Sequence, residues 1–478
     1  MQLLFIIFLG ACFPETVEPE PSSVPSTTEA TATPVIPVNP PEVNPPNLVI
    51  ISLDTVSAER LEVYGGAART PNLNAFAAGG TLFRQAISPF PETALAHWSM
   101  LTGALPAVHG DVPAYGDSRY SGPTLAQLLS KAGFNTAAFI GGETLTNRST
   151  GLARGFQLYD DQYPWDRADL KRPGADVAQA ATTWIDKQER QQKPYFAFVH
   201  FFDAHFPYTP APPWDTLYDP NYQGTLTGSD ADLRPYRDGE KTPTAADIRH
   251  IQALYDGELS ELDALLGPLL QALDGRNTLV VITADHGESF GHNYWFNHRD
   301  ALWDEVIRVP LLIRGPGVPA NHQVDDQVSL IDVTPTVLKL LNQTIPAPLN
   351  GTDKSGLFTS KAASQDIAFA ITDPFRKQPQ FASRIPTFKR IQKVVNGKAT
   401  AREQQAYNLS DDPYEMSDGQ SVPERLDKAW AAYQAVLQPV IARWQGPKPA
   451  KRTPDQSEYD RLKALGYVDE PAKAPTPK

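Results

Sequence analysis

Apolar residues in this chain gather into short, nearly unbroken runs separated by longer stretches of mixed pattern. Leu48–Leu53, Thr136–Ile140, Tyr195–His200, Leu279–Thr283 and Pro310–Arg314 are almost wholly apolar, as parallel strands covered on both faces are. Pro123–Ala132, Ala175–Gln191, Asp247–Asp274 and Asp332–Leu341 read as helices. Strand and helix in alternation predict an α/β fold, a sandwich of helices around a mostly parallel central sheet. Near Phe388 the pattern changes to the β-rich FKRIQKVVNGK, with Ala406–Leu409 as a candidate return strand. Its Asn-Gly pair at 396–397 is a strong hairpin signal. A smaller C-terminal subdomain with an antiparallel sheet is therefore expected. A helix over Glu424–Trp444 should close it, with Trp430, Tyr433 and Trp444 facing the core. The predicted boundaries are 47–360 for the larger domain and 361–467 for the subdomain.

The N-terminal segment follows neither pattern. Leu3–Leu9 is apolar but far short of the roughly 20 residues that span a bilayer. Leu9-Gly10-Ala11-Cys12 resembles a bacterial lipobox, in which the cysteine is lipidated and becomes the mature N-terminus. Residues 1–12 then read as a lipoprotein signal peptide, and the chain as a lipid-anchored protein of the bacterial cell envelope, on the outer membrane or the periplasmic face. Residues 13–46 are rich in Pro, Glu, Ser and Thr and carry no positive charge. They bury too little to fold and should form an extended tether. The tail 468–478 is expected to fray as well.

Composition narrows the partners. Of 478 residues, 42 are Lys or Arg and 55 Asp or Glu, a net charge of −13. With no cation excess to neutralise phosphates, nucleic acid is not the partner. A single cysteine excludes a disulfide framework and a cysteine zinc site.

In open α/β sheets, ligands gather beyond the carboxyl ends of the strands, so the residues that follow each strand mark the site. Asp54-Thr55 follow the first run, and Asp203 and His205 follow the third, in FFDAHFPY. Asp285-His286-Gly287-Glu288 follow the fourth, with His292 and His298 further on. Acids and histidines recurring at one edge point to metal or phosphoryl-transfer chemistry, and no Gly-rich nucleotide motif follows any strand. Thr93 precedes the helix-like ALAHWSMLTG. A threonine there is either a helix cap or a hydroxyl placed at the positive end of the dipole.

LDTVSAERLEVYG, SMLTGALPAVHG, FDAHFPY, ADHGESFGHN, HRDALWDEVIRVPLLIRGPG, YNLSDDPYE and LKALGYV occur in that order. Together they resemble the sulfatase family of the alkaline phosphatase superfamily over nearly all of Asn47–Tyr467. The resemblance implies an alkaline-phosphatase-like sandwich and a metal-dependent ester hydrolase. Counting back from Met100-Leu101-Thr102-Gly103 places Thr93 where the family has the Cys or Ser oxidised to formylglycine, and His97 where it has Arg. A threonine, being a secondary alcohol, could yield only a ketone, so no formylglycine is expected. The site then looks like that of phosphoglycerol and phosphoethanolamine transferases and of phosphonate monoester hydrolases. By resemblance, Asp54, Thr93, Asp285 and His286 hold one divalent ion. Few carboxylates and one imidazole suit Mn²⁺ best, with Zn²⁺, Mg²⁺ or Ca²⁺ as alternatives. His205 and His298 match positions that hold the transferred group and assist the leaving oxygen. His97 is expected to orient or deprotonate Thr93, and Asp203 to orient His205. His292 and His109 are weaker candidates, and Arg234, Arg237 and Lys241 read as part of a solvated insertion. The expected activity is cleavage or transfer at a phosphate or phosphonate ester of a small molecule, lipid or glycan, through a covalent phosphothreonine. The alternatives are a sulfuric ester hydrolase using Thr93 and a non-catalytic binding lipoprotein.

Overall fold

Eight strands form the main sheet of the computed structural model, which describes residues 45–109, 120–162, 171–359, 366–373, 379–395 and 398–433. They are β1 (Asn47–Leu53), β2 (Thr81–Ile87), β3 (Asn135–Ile140), β4 (Leu158–Asp160), β5 (Tyr195–Phe201), β6 (Thr278–Thr283), β7 (Arg308–Arg314) and β8 (His322–Ser329). The lipobox with Cys12, the tether, the tail and the helix beyond Tyr433 lie outside the described residues.

The sheet order is β4-β3-β5-β1-β6-β7-β2-β8. The pairs β3–β4, β3–β5, β1–β5, β1–β6 and β2–β8 are parallel. β7 is antiparallel to both of its neighbours, β6 and β2, which corrects the parallel reading of Pro310–Arg314. A parallel return needs a crossover, usually a full helix. The segment between β6 and β7 holds only the one-turn helix Asp304–Ile307. It stays at the carboxyl edge of β6, and the chain runs straight back.

Strands β1, β5 and β6 are buried along nearly their whole length, with helices supplying cover. The 29-residue helix Ala245–Leu273 starts at a capping box in which Thr244 and Asp247 satisfy each other's backbone N–H groups. The helix Gly174–Gln191 packs between it and β5. β8 (HQVDDQVS) is illegible as an apolar run because it is the half-exposed edge strand, and β2 (TLFRQAI), though mostly buried, because Arg84 and Gln85 interrupt it.

A second sheet is antiparallel throughout, in the order β12-β11-β10-β9, formed by β9 (Ala368–Ile371), β10 (Gln380–Ile385), β11 (Phe388–Val395) and β12 (Lys398–Asn408). Val395 pairs with Lys398 across the Asn-Gly position, as the hairpin signal predicts. Residues 424–433 are helical, and Trp430 and Tyr433 are buried with Phe90, Ala96 and Phe381.

Buried charge joins the two sheets. Asp304, just before β7, accepts from Arg384 of β10 (Nη2, 2.7 Å) and from Lys389 of β11 (2.7 Å). Lys389 also pairs with Glu415 at 2.6 Å. Arg384 Nη1 reaches Gln327 of β8 (2.6 Å) and Gln85 of β2 (3.0 Å). No helix among the described residues is long and apolar enough to cross a membrane.

Candidate active site

Asp54 leaves the end of β1, and Asp285 and His286 leave the end of the neighbouring β6. All three are fully buried, and one ligand atom from each lies within 4.8 Å of the others. Thr55 organises the carboxylates. Its hydroxyl donates to Asp54 Oδ1 (2.6 Å) and its backbone N–H to Asp285 Oδ1 (3.1 Å). To do this it adopts φ 61°, a left-handed conformation that costs a β-branched residue on the order of 1–3 kcal/mol. Asp285 Oδ1 also accepts from the His286 N–H (2.9 Å), so both of its lone pairs are engaged.

Asp285 Oδ2 and His286 Nε2 remain, 3.3 Å apart and without a hydrogen-bond partner among the described residues. Burial raises both carboxylates, and Asp54 raises Asp285 further. Burial pulls His286 down, but the two carboxylates more than reverse it. Buried acids beside orphaned oxygen and nitrogen donors fit a divalent cation. Gly287 is required here, because a Cβ would lie 2.3 Å from the Glu305 carbonyl and 2.4 Å from Ser57 Oγ.

Thr93 opens the helix Thr93–Thr102 and is fully buried. Glu92, not Thr93, is the cap residue, and the Thr93 side chain hydrogen-bonds the Asp54 carboxylate. One turn on, His97 Nδ1 lies 2.7 Å from the Thr93 carbonyl and Nε2 lies 2.8 Å from Ser52 Oγ. A carbonyl only accepts, so Nδ1 carries the proton and Nε2 accepts from the serine. Burial lowers His97 to about 4. It is thus a neutral ring that fixes the helix start against β1. Of the two expected roles, orientation fits this geometry and deprotonation of the Thr93 hydroxyl does not.

His205 and His298 come together with their rings 5.5 Å apart, and His298 lies 4.3 Å from the His286 ring. Glu288 supports this group. Its Oε1 is 3.1 Å from His298 Nδ1, and its Oε2 accepts from Tyr208 at 2.6 Å. Burial raises Glu288 to about 7.

Two expectations, for Asp203 and for the insertion, need correction, and the weaker candidate His292 is found packed. Asp203 does not orient His205: its Oδ1 accepts from the Gly174 N–H (2.9 Å) at the start of the Gly174–Gln191 helix, while His205 Nδ1 bonds the Phe206 carbonyl (2.9 Å). Adjacency in FFDAHFPY is not contact. His292 stacks on Trp303 at 4.2 Å with its Nε2 3.9 Å from Glu305, a packing role. The insertion is not merely solvated: Arg237 ends the helix Asp230–Arg237, and its side chain is buried over the Phe206 ring at 3.9 Å. Arg234 is half-exposed and pairs with Asp230.

His109 is buried against Trp98, 2.8 Å from Ser99 Oγ, and burial pushes it from its ordinary 6.5 down to about 3. The unfolded chain therefore gains a proton below pH 6.5 that the folded chain refuses, and stability falls as pH drops. His109→Gln should make that acid limb shallower by about 1.4 kcal/mol per pH unit between pH 4 and 6. Urea midpoints measured across this range test it, and parallel limbs for the two proteins would refute it.

Sequence reasoning also missed His200 and Ser52. They sit opposite each other in the parallel register of β5 and β1. His200 Nε2 is 3.0 Å from Asp54 Oδ2, and burial lowers it to about 4. The available signal was a polar residue near the carboxyl end of each apolar run.

A mostly parallel sheet flanked by helices and an antiparallel C-terminal sheet give the alkaline-phosphatase-like sulfatase fold, with a buried Asp-Asp-His cluster at one sheet edge. The sulfatase family profile matches residues 46–343, and the profile "N-sulphoglucosamine sulphohydrolase, C-terminal" matches residues 291–429. The chain belongs to the sulfatase family, whose members are typically dependent on a divalent metal. It is similar to an ulvan-active sulfatase of Formosa agariphila, 25% identical over 414 residues that cover 79% of this chain and 78% of the relative. Among solved structures, a phosphonate monoester hydrolase of Agrobacterium radiobacter superposes with TM-score 0.64 at 21% identity, covering 83% of this chain and 96% of that one. A protein solved with its substrate D-glucosamine-2-N,6-O-disulfate superposes with TM-score 0.65 at 17% identity, covering 86% and 100%.

Proposed function

We propose that this sulfatase-family enzyme cleaves a phosphate or phosphonate ester with Thr93 as nucleophile. The observation that carries the reading is the Thr93 side chain itself. It is fully buried at a helix start and hydrogen-bonded to an acid of the metal cluster, yet it cannot become the aldehyde on which the sulfatase route relies. Asp54, Asp285, His286 and Thr93 would hold a divalent ion. Such an ion, when bound, lowers the pKa of a hydroxyl and offsets charge on non-bridging oxygens.

The residues supply the rest. The Thr93 hydroxyl gives its proton towards Asp54, its hydrogen-bond partner, and its oxygen bonds to phosphorus as the bond to the leaving oxygen breaks. His298, held through Nδ1 by Glu288, keeps Nε2 as the atom that protonates the leaving oxygen. His205, 5.5 Å away ring to ring, binds the transferred group. Water, or an acceptor alcohol, then attacks the phosphothreonine and frees Thr93. With two N–H donors on Asp285 Oδ1 and only Oδ2 open, and with a single imidazole, the donor set would suit Mn²⁺ or another small ion better than Ca²⁺, which takes six to eight oxygens. Small-molecule, lipid and glycan esters all remain within this chemistry.

A second reading, sulfate ester hydrolysis through Thr93, is favoured by the similarity to the ulvan-active sulfatase over most of both chains. Turnover of an aryl phosphomonoester, a phosphodiester, a phosphonate monoester and an aryl sulfate, each with Mn²⁺, Zn²⁺, Mg²⁺ or Ca²⁺, separates the two. Cleavage of a phosphorus ester, with a phosphothreonine peptide trapped by acid quench, is the expected result. Preference for the sulfate would overturn it.

A further inference from the structure

We propose that His200 is a positioning residue for the metal site, holding the Asp54 carboxylate in one fixed orientation and so favouring a small divalent ion over Ca²⁺. This rests on the reading that Asp54, Asp285 and His286 hold a cation. His200 belongs to neither the expected ligand set nor the histidine pair at the transferred group. It lies in the apolar run of β5, beside Ser52 and two residues short of the level of Asp54. Its ring is fully buried and held edge-on to His97 at 5.1 Å.

Its one hydrogen bond runs from Nε2 to Asp54 Oδ2 at 3.0 Å. A carboxylate only accepts, so Nε2 is the donor. Nδ1 has no partner among the described residues, so nothing else fixes this ring by hydrogen bonding. The consequence falls on Asp54. Thr55 occupies Oδ1 from one side at 2.6 Å and His200 occupies Oδ2 from the other. A carboxylate held at both oxygens cannot swing to chelate an ion symmetrically, as carboxylates often do around Ca²⁺. Asp285 is restricted differently, by two N–H donors that both fall on Oδ1. Asp285 is thus left with Oδ2 alone, while Asp54 keeps one fixed orientation with a lone pair spent on each oxygen, and the group that fixes its Oδ2 side is an imidazole in the neighbouring strand. Such outer-shell partners typically govern metal affinity by about 10–100-fold.

The test compares Mn²⁺ and Ca²⁺ dissociation constants, by calorimetry on the full chain, for the native protein, His200→Phe and His200→Gln. Phenylalanine keeps a ring and loses the donor, whereas glutamine keeps an N–H donor. Mn²⁺ binding should weaken about 10–100-fold in His200→Phe, with a smaller loss for Ca²⁺, so that the preference narrows. His200→Gln should recover most of it. Melting temperatures of the metal-free proteins register any packing role separately. Should His200→Phe not fold, His200→Met gives the same contrast. Unchanged Mn²⁺ affinity and unchanged preference in the donor-less variant would overturn the proposal, as would a lowered metal-free melting temperature with metal binding intact. Failure of the native protein to bind any divalent ion would instead sink the metal reading of the cluster, and this proposal with it.

Discussion

Thr93→Ala should lower turnover by at least about 10⁴-fold, as loss of a covalent nucleophile does in other enzymes, while divalent-ion affinity changes far less. The asymmetry follows from the geometry. Thr93 would add one oxygen to a site whose other candidate donors, Asp54, Asp285 and His286, are placed by β1 and β6. Those three remain in position without it, so the ion stays while the bond-forming atom is gone. Thr93→Ser keeps a hydroxyl at the helix start and should retain measurable activity. The trapped phosphothreonine should disappear in the alanine variant and become phosphoserine in the serine variant. Steady-state rates, metal titration and peptide mass spectrometry together check this result. Turnover in Thr93→Ala within tenfold of the native rate would remove Thr93 from the chemistry.

The largest effect on stability should come from Asp304→Asn. Asp304 is buried and receives Arg384 through Nε and Nη2 and Lys389 through Nζ. The adjacent cations hold its carboxyl well below the usual range, against the opposing effect of burial. The amide cannot balance two buried cations, and Glu415, which burial raises to about 7, is left to answer both. Breaking a buried charge network by removing one partner typically costs about 3–5 kcal/mol. Equilibrium unfolding in denaturant, followed by tryptophan fluorescence, measures it. A loss below about 1 kcal/mol would mean that the network contributes nothing beyond its shape.

Much of this was legible in the sequence, for physical reasons that also mark where legibility ended. Strands β1, β5 and β6 are buried on both faces, so their apolar runs were unmistakable. β8 lies at the edge, where Asp325 and Asp326 break the pattern, and β2 beside it is interrupted by Arg84 and Gln85. The direction of β7 depends on how the chain crosses, which no local pattern records. The candidate metal acids were legible because they follow buried strands, and the structure brings Asp54, Asp285 and His286 together. His200 escaped notice because a histidine inside an apolar run looks like core. Asp203 was misjudged for the converse reason: closeness along the chain stood in for contact, while its carboxylate turned to Gly174. Glu288 was visible as a letter in ADHGESF, but its bond to His298 spans ten residues that the fold alone brings back.

The charge junction at Asp304 also bears on the order in which the contacts around this site are made. The candidate site ends at His298, yet the loop that carries its metal residues is fastened to the following segment, with Gly287 N–H bonded to the Val306 carbonyl at 2.6 Å. That segment is anchored by Arg384 and Lys389, 80 and 85 residues further along than Asp304. At 5–20 residues per second, a ribosome needs roughly 4–17 s to supply them. During that interval every candidate catalytic residue has been made, and Ser57 and Ser88 already hold the segment at Glu305 and Ile307, but Asp304 lacks both of these cationic partners. The last charge contacts of the segment that fastens this loop are therefore made only once the second sheet has been synthesised.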